Sequence, residues 1–238
     1  MPNSYFQFKQ FIVHQERSGM KICTDACILG GYAAGLVKNL SIRTCLDIGT
    51  GTGLLSLMLA QAGQFPIDAI EIYDTAASEA KENFQLSPWK DRINIIHKDF
   101  RSFTSPDTYD LIISNPPFYE NHLPSPERNR NVAMHSESLN LRELLEGIER
   151  NVYESGHFIV LLPRDADEEF EKMCMAKGFN LLRKLKIRHS IKHPYFRVIL
   201  FYGRLPGKLV EEELVIKDAG NFYTVEFRSL LKEYYLSL

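Results

Sequence analysis

The chain has 238 residues, long enough for one large domain or two small ones with a sizeable core. It is 45% hydrophobic, 24% charged and 11% aromatic, and its net charge of −2 excludes a globally basic nucleic-acid binder, so such a partner would need a local patch. Four cysteines lack the paired spacing of a zinc site, no apolar run reaches membrane-span length, and the opening MPNSYFQFKQ has no signal-peptide core. No metal and no membrane are therefore expected, and a cytoplasmic location is.

In chain order, KICTDACILGGYAA (21–34) reads as a helix over 25–36, with Thr24 placed to cap it. RTCLDI (43–48) is a strand, followed by a glycine-rich turn and a helix over 53–63. IDAIEI (67–72) is the next strand, and the helix over 73–87 has Asp74 as its expected N-cap. INIIHKD (93–99) and YDLIIS (109–114) are strands three and four, and a helix over 139–151 precedes the strand GHFIVLLP (156–163). A helix over 165–178 carries acids in its first turn and ends at Gly178. Then the alternation changes: 180–190, 195–204 and 211–218 read as consecutive strands, and 224–236 as a closing helix.

Repeated β–α units imply a parallel sheet with helices on both faces, and the short connection near SIKHP implies an antiparallel strand at its edge. The expected fold is α/β and Rossmann-like, a mostly parallel sheet of about seven strands. No linker divides the chain, so residues 1–238 read as one domain.

The turn LDIGTGTGLLSL (46–57) joins the first strand of that sheet to its helix. Ligands of open α/β sheets bind at the carboxyl ends of strands. Gly49, Gly51 and Gly53 let the backbone turn tightly and approach a ligand closely, while Asp47 can accept hydrogen bonds from an ammonium group or from the turn itself. Glu71 ends the second strand, where a carboxylate can take both ribose hydroxyls. Asp99 and Phe100 end the third, placed to accept from an exocyclic amine and to cover an adenine. Leu54 stands where a dinucleotide site wants its third glycine, and an acid ahead of the glycines suits a ligand with a positively charged amino-acid moiety, such as S-adenosyl-L-methionine. The arrangement resembles the class I methyltransferases.

Asn115-Pro116-Pro117-Phe118 follows the fourth strand, on the same sheet edge. Proline cannot extend a ladder, so the strand ends at Asn115 and its acceptors are held rigidly beside the cofactor. The tetrad resembles the N-P-P-[FY] signature of amino methyltransferases. A conjugated amine is a poor nucleophile. Hydrogen bonds from its NH₂ to the Asn115 side-chain oxygen and the Pro116 carbonyl would aim its lone pair, and Phe118 would stack a flipped base.

FKQFIVHQERSGMKICTDACILGGY (8–32), SPWKDRINI (87–95), DLIISNPPF and the terminal FYTVEFRSLLKEYYL extend the likeness over essentially the whole chain. They closely resemble the bacterial tRNA adenine-N6 methyltransferases that modify the adenine beside the anticodon of a valine tRNA. That resemblance implies a monomer acting on tRNA, with residues 1–40 leading in over the cofactor site and Lys21, Thr24 and Asp25 at the methionine end of the ligand. Phe118 stands where relatives often carry Tyr, and Phe there also occurs in guanine-N2 methyltransferases.

For RNA contact, Lys184, Lys186 and Arg188 share one strand face as a phosphate track, and Arg128 and Arg130 lie in a long polar loop after the tetrad. Rival readings are guanine-N2 methylation of ribosomal RNA, glutamine methylation of a protein, and a non-catalytic RNA-binding scaffold. A nicotinamide-dependent oxidoreductase is disfavoured by the glycine spacing.

Overall fold

The structure is a computed structural model that describes residues 3–19, 21–117 and 139–237. It opens with a small antiparallel hairpin, β1 (Tyr5–Gln7) and β2 (Ile12–His14), for which the sequence offers only three-residue runs. Helix α1 (Thr24–Val37) follows. Thr24 is its first helical residue rather than its cap, since Cys23 takes the N-cap position without a side-chain bond. Then come β3 (Cys45–Ile48), α2 (Leu54–Ala62), β4 (Ile67–Glu71), α3 (Asp74–Gln85), β5 (Ile93–His97) and β6 (Tyr109–Ser114). Asp74 likewise begins α3 instead of capping it; Tyr73 is the N-cap residue.

The remaining elements are α4 (Leu141–Asn151), β7 (Val152–Pro163), α5 (Asp167–Ala176), β8 (Asn180–Ser190), β9 (Arg197–Gly203), β10 (Val210–Lys217) and α6 (Val225–Leu231). Asn140 caps α4 in a full capping box with Glu143. Gly178, at φ +75°, ends α5 in a Schellman motif: its N–H reaches the Met175 carbonyl, and the Phe179 N–H reaches that of Cys174.

The main sheet has eight strands in the order β10-β8-β9-β7-β6-β3-β4-β5, one more than the seven expected. From β7 through β6, β3 and β4 to β5 every pairing is parallel. The reversed strand is β9. It is not at the edge: it lies between β7 and β8, antiparallel to both, and β10 pairs parallel to β8 outside it. The crossover through α5 returns β8 in the direction of β7 one position away, and β9 fills the gap.

All six residues of β6 and all four of β3 are buried, as strands covered on both faces must be. Leu111 and Ile113 join the core beneath α1, α2 and α6; Ile112 joins the opposite core beneath α4 and α5. Among the described residues no helix is long and apolar enough to cross a membrane.

Helix α3 is the buttress for everything that precedes the sheet. Glu79 and Asn83 lie one turn apart on one face of it. The Asn83 amide donates to the carbonyls of His14 (2.9 Å) and Thr52 (2.8 Å) and accepts from the His14 N–H (2.9 Å). Glu79, 1% exposed, accepts the backbone N–H groups of Glu16 (2.6 Å), Arg17 (2.8 Å) and Ser18 (2.8 Å). On the other side of the turn, Asp47 Oδ2 accepts from the Thr50 hydroxyl (2.7 Å) and from the Ser56 hydroxyl (2.7 Å) and N–H (3.2 Å).

These two buried carboxyls titrate in opposite directions. Burial pushes Asp47 up to about 6 from 3.8, against the bonds from Thr50 and Ser56 and helped by the charge of Glu71. Burial also acts on Glu79, but hydrogen bonds from residues 16–18 outweigh it and hold its carboxyl below 4.5.

A raised folded value means the native state binds the extra proton, so Asp47's contribution to stability declines as pH rises from about 4 to about 6. A lowered one means Glu79's contribution is present above its unfolded value and is lost as pH falls through the folded one. Denaturation of wild type against Asp47→Asn should therefore show a stability difference that moves in the variant's favour between about pH 4 and about pH 6. Against Glu79→Gln, wild type should lead by about 1–3 kcal/mol at pH 7, and that lead should shrink in acid. Two pH-independent differences would contradict these assignments.

Candidate active site

A cavity of about 380 Å³ opens at the carboxyl ends of β3, β4, β5 and β6. Each strand contributes as it leaves the sheet: Gly49 and Gly51 after β3, Glu71 to Tyr73 at the end of β4, Lys98 to Arg101 after β5, and Ser114 to Pro117 at the end of β6. The side walls are Ile48, Ile70, Ala76 and Leu139, with Ser18 and Gly19 of the segment that Glu79 holds.

The glycine turn is built for close approach. Gly49 and Gly51 sit at φ +68° and +55°, and a Cβ added at either would meet no protein atom within 4 Å, so the space beside them is cavity. Gly53 differs. At φ +84° it abuts Phe84, whose ring a Cβ would meet at 2.4 Å, so it serves packing of α2 on α3 rather than ligand approach. The turn is held by Glu71: Oε2 accepts from the Gly51 N–H (2.9 Å), while Oε1 accepts from Ile72 (2.9 Å) and Tyr73 (3.0 Å). Oε1 is thus filled by two donors, while Oε2 keeps acceptor capacity for a further one.

Asp99 Oδ1 accepts from Arg101 at its N–H (2.9 Å) and Nε (3.1 Å), and Arg101 Nη2 lies 2.7 Å from Oδ2. This guanidinium lowers the Asp99 carboxyl. Phe100 is buried in a single 3-10 turn and packs against Gly147 of α4, where a Cβ would meet its ring at 2.3 Å. The Ser114 hydroxyl donates to the Ile48 carbonyl (3.0 Å), tying the end of β6 to that of β3 and setting Asn115 beside the turn. Asn115 is half-buried, Pro116 buried and Pro117 exposed.

The cavity thus brings together Gly49, Gly51, Glu71, Asp99, Phe100, Asn115, Pro116 and Pro117. Asp47 does not line it: fully buried, it organises the turn from beneath, and its Oδ1 has no partner among the described residues. Lys21, Thr24 and Asp25 do not line it either. The Lys21 ammonium donates to the Asn3 carbonyl (3.2 Å), and Asp25 pairs with Arg197 Nε at 3.1 Å. Phe118, Arg128 and Arg130 lie outside the described residues.

The proposed phosphate track on β8 is taken up internally. Lys184 lies 2.8 Å from Asp167 and also pairs with Glu171, Lys186 lies 2.9 Å from Glu211, and Arg188 pairs with Glu213. The three do share a face, but β8 is an interior strand whose acids come from α5 and β10. Sequence reasoning missed Arg101, Tyr73 and the Ser18–Gly19 wall. Arg101 directly follows Phe100 and Tyr73 stands two residues after Glu71, so both could have been found from those motif residues; Ser18 carries no local signal.

A family model, the methyltransferase small domain, matches residues 33–138. The tRNA1(Val) (adenine(37)-N6)-methyltransferase of Dyadobacter fermentans is 41% identical, with 98% of each chain covered, and that of Phocaeicola vulgatus is 37% identical over the whole of both. Among solved structures, a predicted O-methyltransferase of Agrobacterium tumefaciens superposes with a TM-score of 0.67 at 16% identity, covering 90% of this chain and 99% of that one. The glycopeptide N-methyltransferase MtfA, in complex with S-adenosyl-L-methionine, does so with a TM-score of 0.54 at 12% identity, covering 75% and 88%. The structural likeness places the fold among the class I methyltransferases, and the full-length sequence likeness goes further: the chain belongs to the tRNA1(Val) (adenine(37)-N6)-methyltransferase family.

Proposed function

We propose that this protein transfers a methyl group from S-adenosyl-L-methionine to the N6 amine of an adenine in tRNA, the adenine at position 37 of tRNA1(Val), as the names of its relatives state for them. The observation that carries this reading is the placement of Asn115-Pro116-Pro117 in the wall of the same cavity that Gly51 and Glu71 line.

The cavity suits the cofactor by its chemistry. Glu71 Oε2 offers an acceptor for a ribose hydroxyl, and the apolar side chains of Ile70, Ile72 and Phe100 offer faces for a purine. Gly49 and Gly51 leave open a cradle that a Cβ at either would enter. Asp99, oriented by Arg101, is the acceptor for an exocyclic amine. When bound, S-adenosyl-L-methionine supplies an electrophilic methyl group on a sulfonium.

Asn115 and Pro116 handle the other reactant. The adenine amine donates one N–H to the Asn115 side-chain oxygen and the other to the Pro116 carbonyl, which draws the nitrogen out of conjugation and directs its lone pair. Both acceptors sit on backbone that Pro116, Pro117 and the Ser114–Ile48 bond hold in place, so little reorganisation accompanies reaction. No strong base is assigned, because the amine can release its proton once it is cationic.

The test is methyl transfer from labelled cofactor to total RNA of a strain lacking the gene, with nucleoside analysis of the product. N6-methyladenosine should appear in tRNA, and Asn115→Ala should lower the rate by about 10²-fold or more while the variant keeps a cooperative melting transition. Label in protein instead of RNA, methylguanosine as the product, or an Asn115→Ala variant as active as wild type would each overturn the reading.

A further inference from the structure

We propose that the β8–β9 turn, residues 189–196 with Arg164, is the platform that receives the unpaired nucleotides flanking the target adenine. This inference rests on the tRNA reading above and extends it to a second surface.

Its position follows from the topology. The carboxyl end of β8 and the start of β9 lie on the same sheet edge as Asn115, because β7 runs parallel to β6 and β8 runs in the same direction as β7. The turn lies two to three strands from β6, about 10–14 Å away at about 4.8 Å per strand. Pro163 of β7 pairs with Arg197, three residues beyond the Val160–Ser114 pairing, so the turn stands about 10 Å above the level of Ser114. The two components combine to about 14–17 Å, which matches four or five stacked bases at about 3.4 Å each.

Its chemistry suits single-stranded RNA. The exposed ring of His189 is stacked on Phe196 with centroids 3.8 Å apart and 9° between planes. The Arg164 guanidinium lies over the Tyr195 ring, 5.1 Å from its centroid, and the Arg164 N–H donates to the Phe196 carbonyl (3.2 Å). The turn is braced from within by the Ser190 hydroxyl, which contacts His193 Nδ1 at 2.8 Å and accepts from the Lys192 N–H.

The charges here differ from those along β8. There each cation has a carboxylate, whereas among the described residues neither Arg164 nor Lys192 has one within ion-pair distance. The acids nearby in the fold are Asp167, which accepts from the Tyr195 hydroxyl (3.4 Å) and pairs with Lys184, then Asp25 and Glu213, already paired with Arg197 and Arg188, and the exposed Asp165. Planar rings interleaved with unneutralised cations are the usual platform for unpaired bases and their phosphates. Extruding an adenine leaves its neighbours in need of such stacking.

The experiment uses the full-length protein and the anticodon stem–loop of tRNA1(Val) at several salt concentrations. His189→Ala and the pair Arg164→Ala with Lys192→Ala should each weaken loop binding and raise KM for tRNA about tenfold, with kcat within about twofold. The cofactor-induced rise in melting temperature should match wild type in both. The paired variant should also lower the salt slope of binding by about 1.4, two phosphate contacts at about 0.7 each. Wild-type loop affinity and KM in both variants would overturn the platform while leaving the activity intact. A wild-type protein that methylates no tRNA would instead overturn the functional reading, and the platform with it.

Discussion

The ends of β3 and β4 are governed by the need to satisfy the N–H groups of a glycine-rich turn without water. Asp47 beneath the turn and Glu71 beside it supply the acceptors, and between them they bond to Thr50, Gly51, Ser56, Ile72 and Tyr73. A segment with three glycines at positive φ would otherwise be among the loosest in the chain. Placing two carboxylates close together is itself unfavourable, and the charge of Glu71 is one cause of the raised Asp47 value. The arrangement holds because each carboxylate faces donors; an acid without them would neutralise or leave the site open.

Helix α3 extends that constraint outward. Asn83 accepts and donates across β2 and the glycine turn, Phe84 closes on Gly53, and Glu79 gathers three N–H groups of the segment that ends in Ser18 and Gly19. One helix therefore sets the shape of the turn and the position of the opposite cavity wall. A disturbance in the N-terminal segment reaches the cavity through α3 without any change in the sheet.

Much of this was legible in the residues. The parallel strands read as apolar runs because both their faces are buried, and the glycine turn, Glu71, Asp99 and Asn115-Pro116-Pro117 fall where strand ends must bring them. What could not be read depends on partners far away in the chain. Asp25 is taken by Arg197, and Lys184 by Asp167 and Glu171, pairings that no local spacing reveals. The short connection between β8 and β9 dictated antiparallel pairing, yet it left open which of the two would lie against β7. The β1–β2 hairpin is too short for periodicity to register and is held by Asn83 of α3.

A net charge of −2 also restricts how such a chain can meet RNA. Long-range attraction is absent, so affinity must come from cations that are not already neutralised and from stacking, which needs no charge. Along β8 and β10 the lysines, arginines and glutamates largely cancel one another, and that surface has little to offer a phosphate. On the proposed reading, recognition falls to the carboxyl edge of the sheet, where the cavity, Asn115 and the rings of the β8–β9 turn lie within a few strand spacings of one another. A substrate that fits must present an adenine that can leave its stack beside neighbours that are unpaired, which is what the loop of a tRNA provides and a continuous duplex does not.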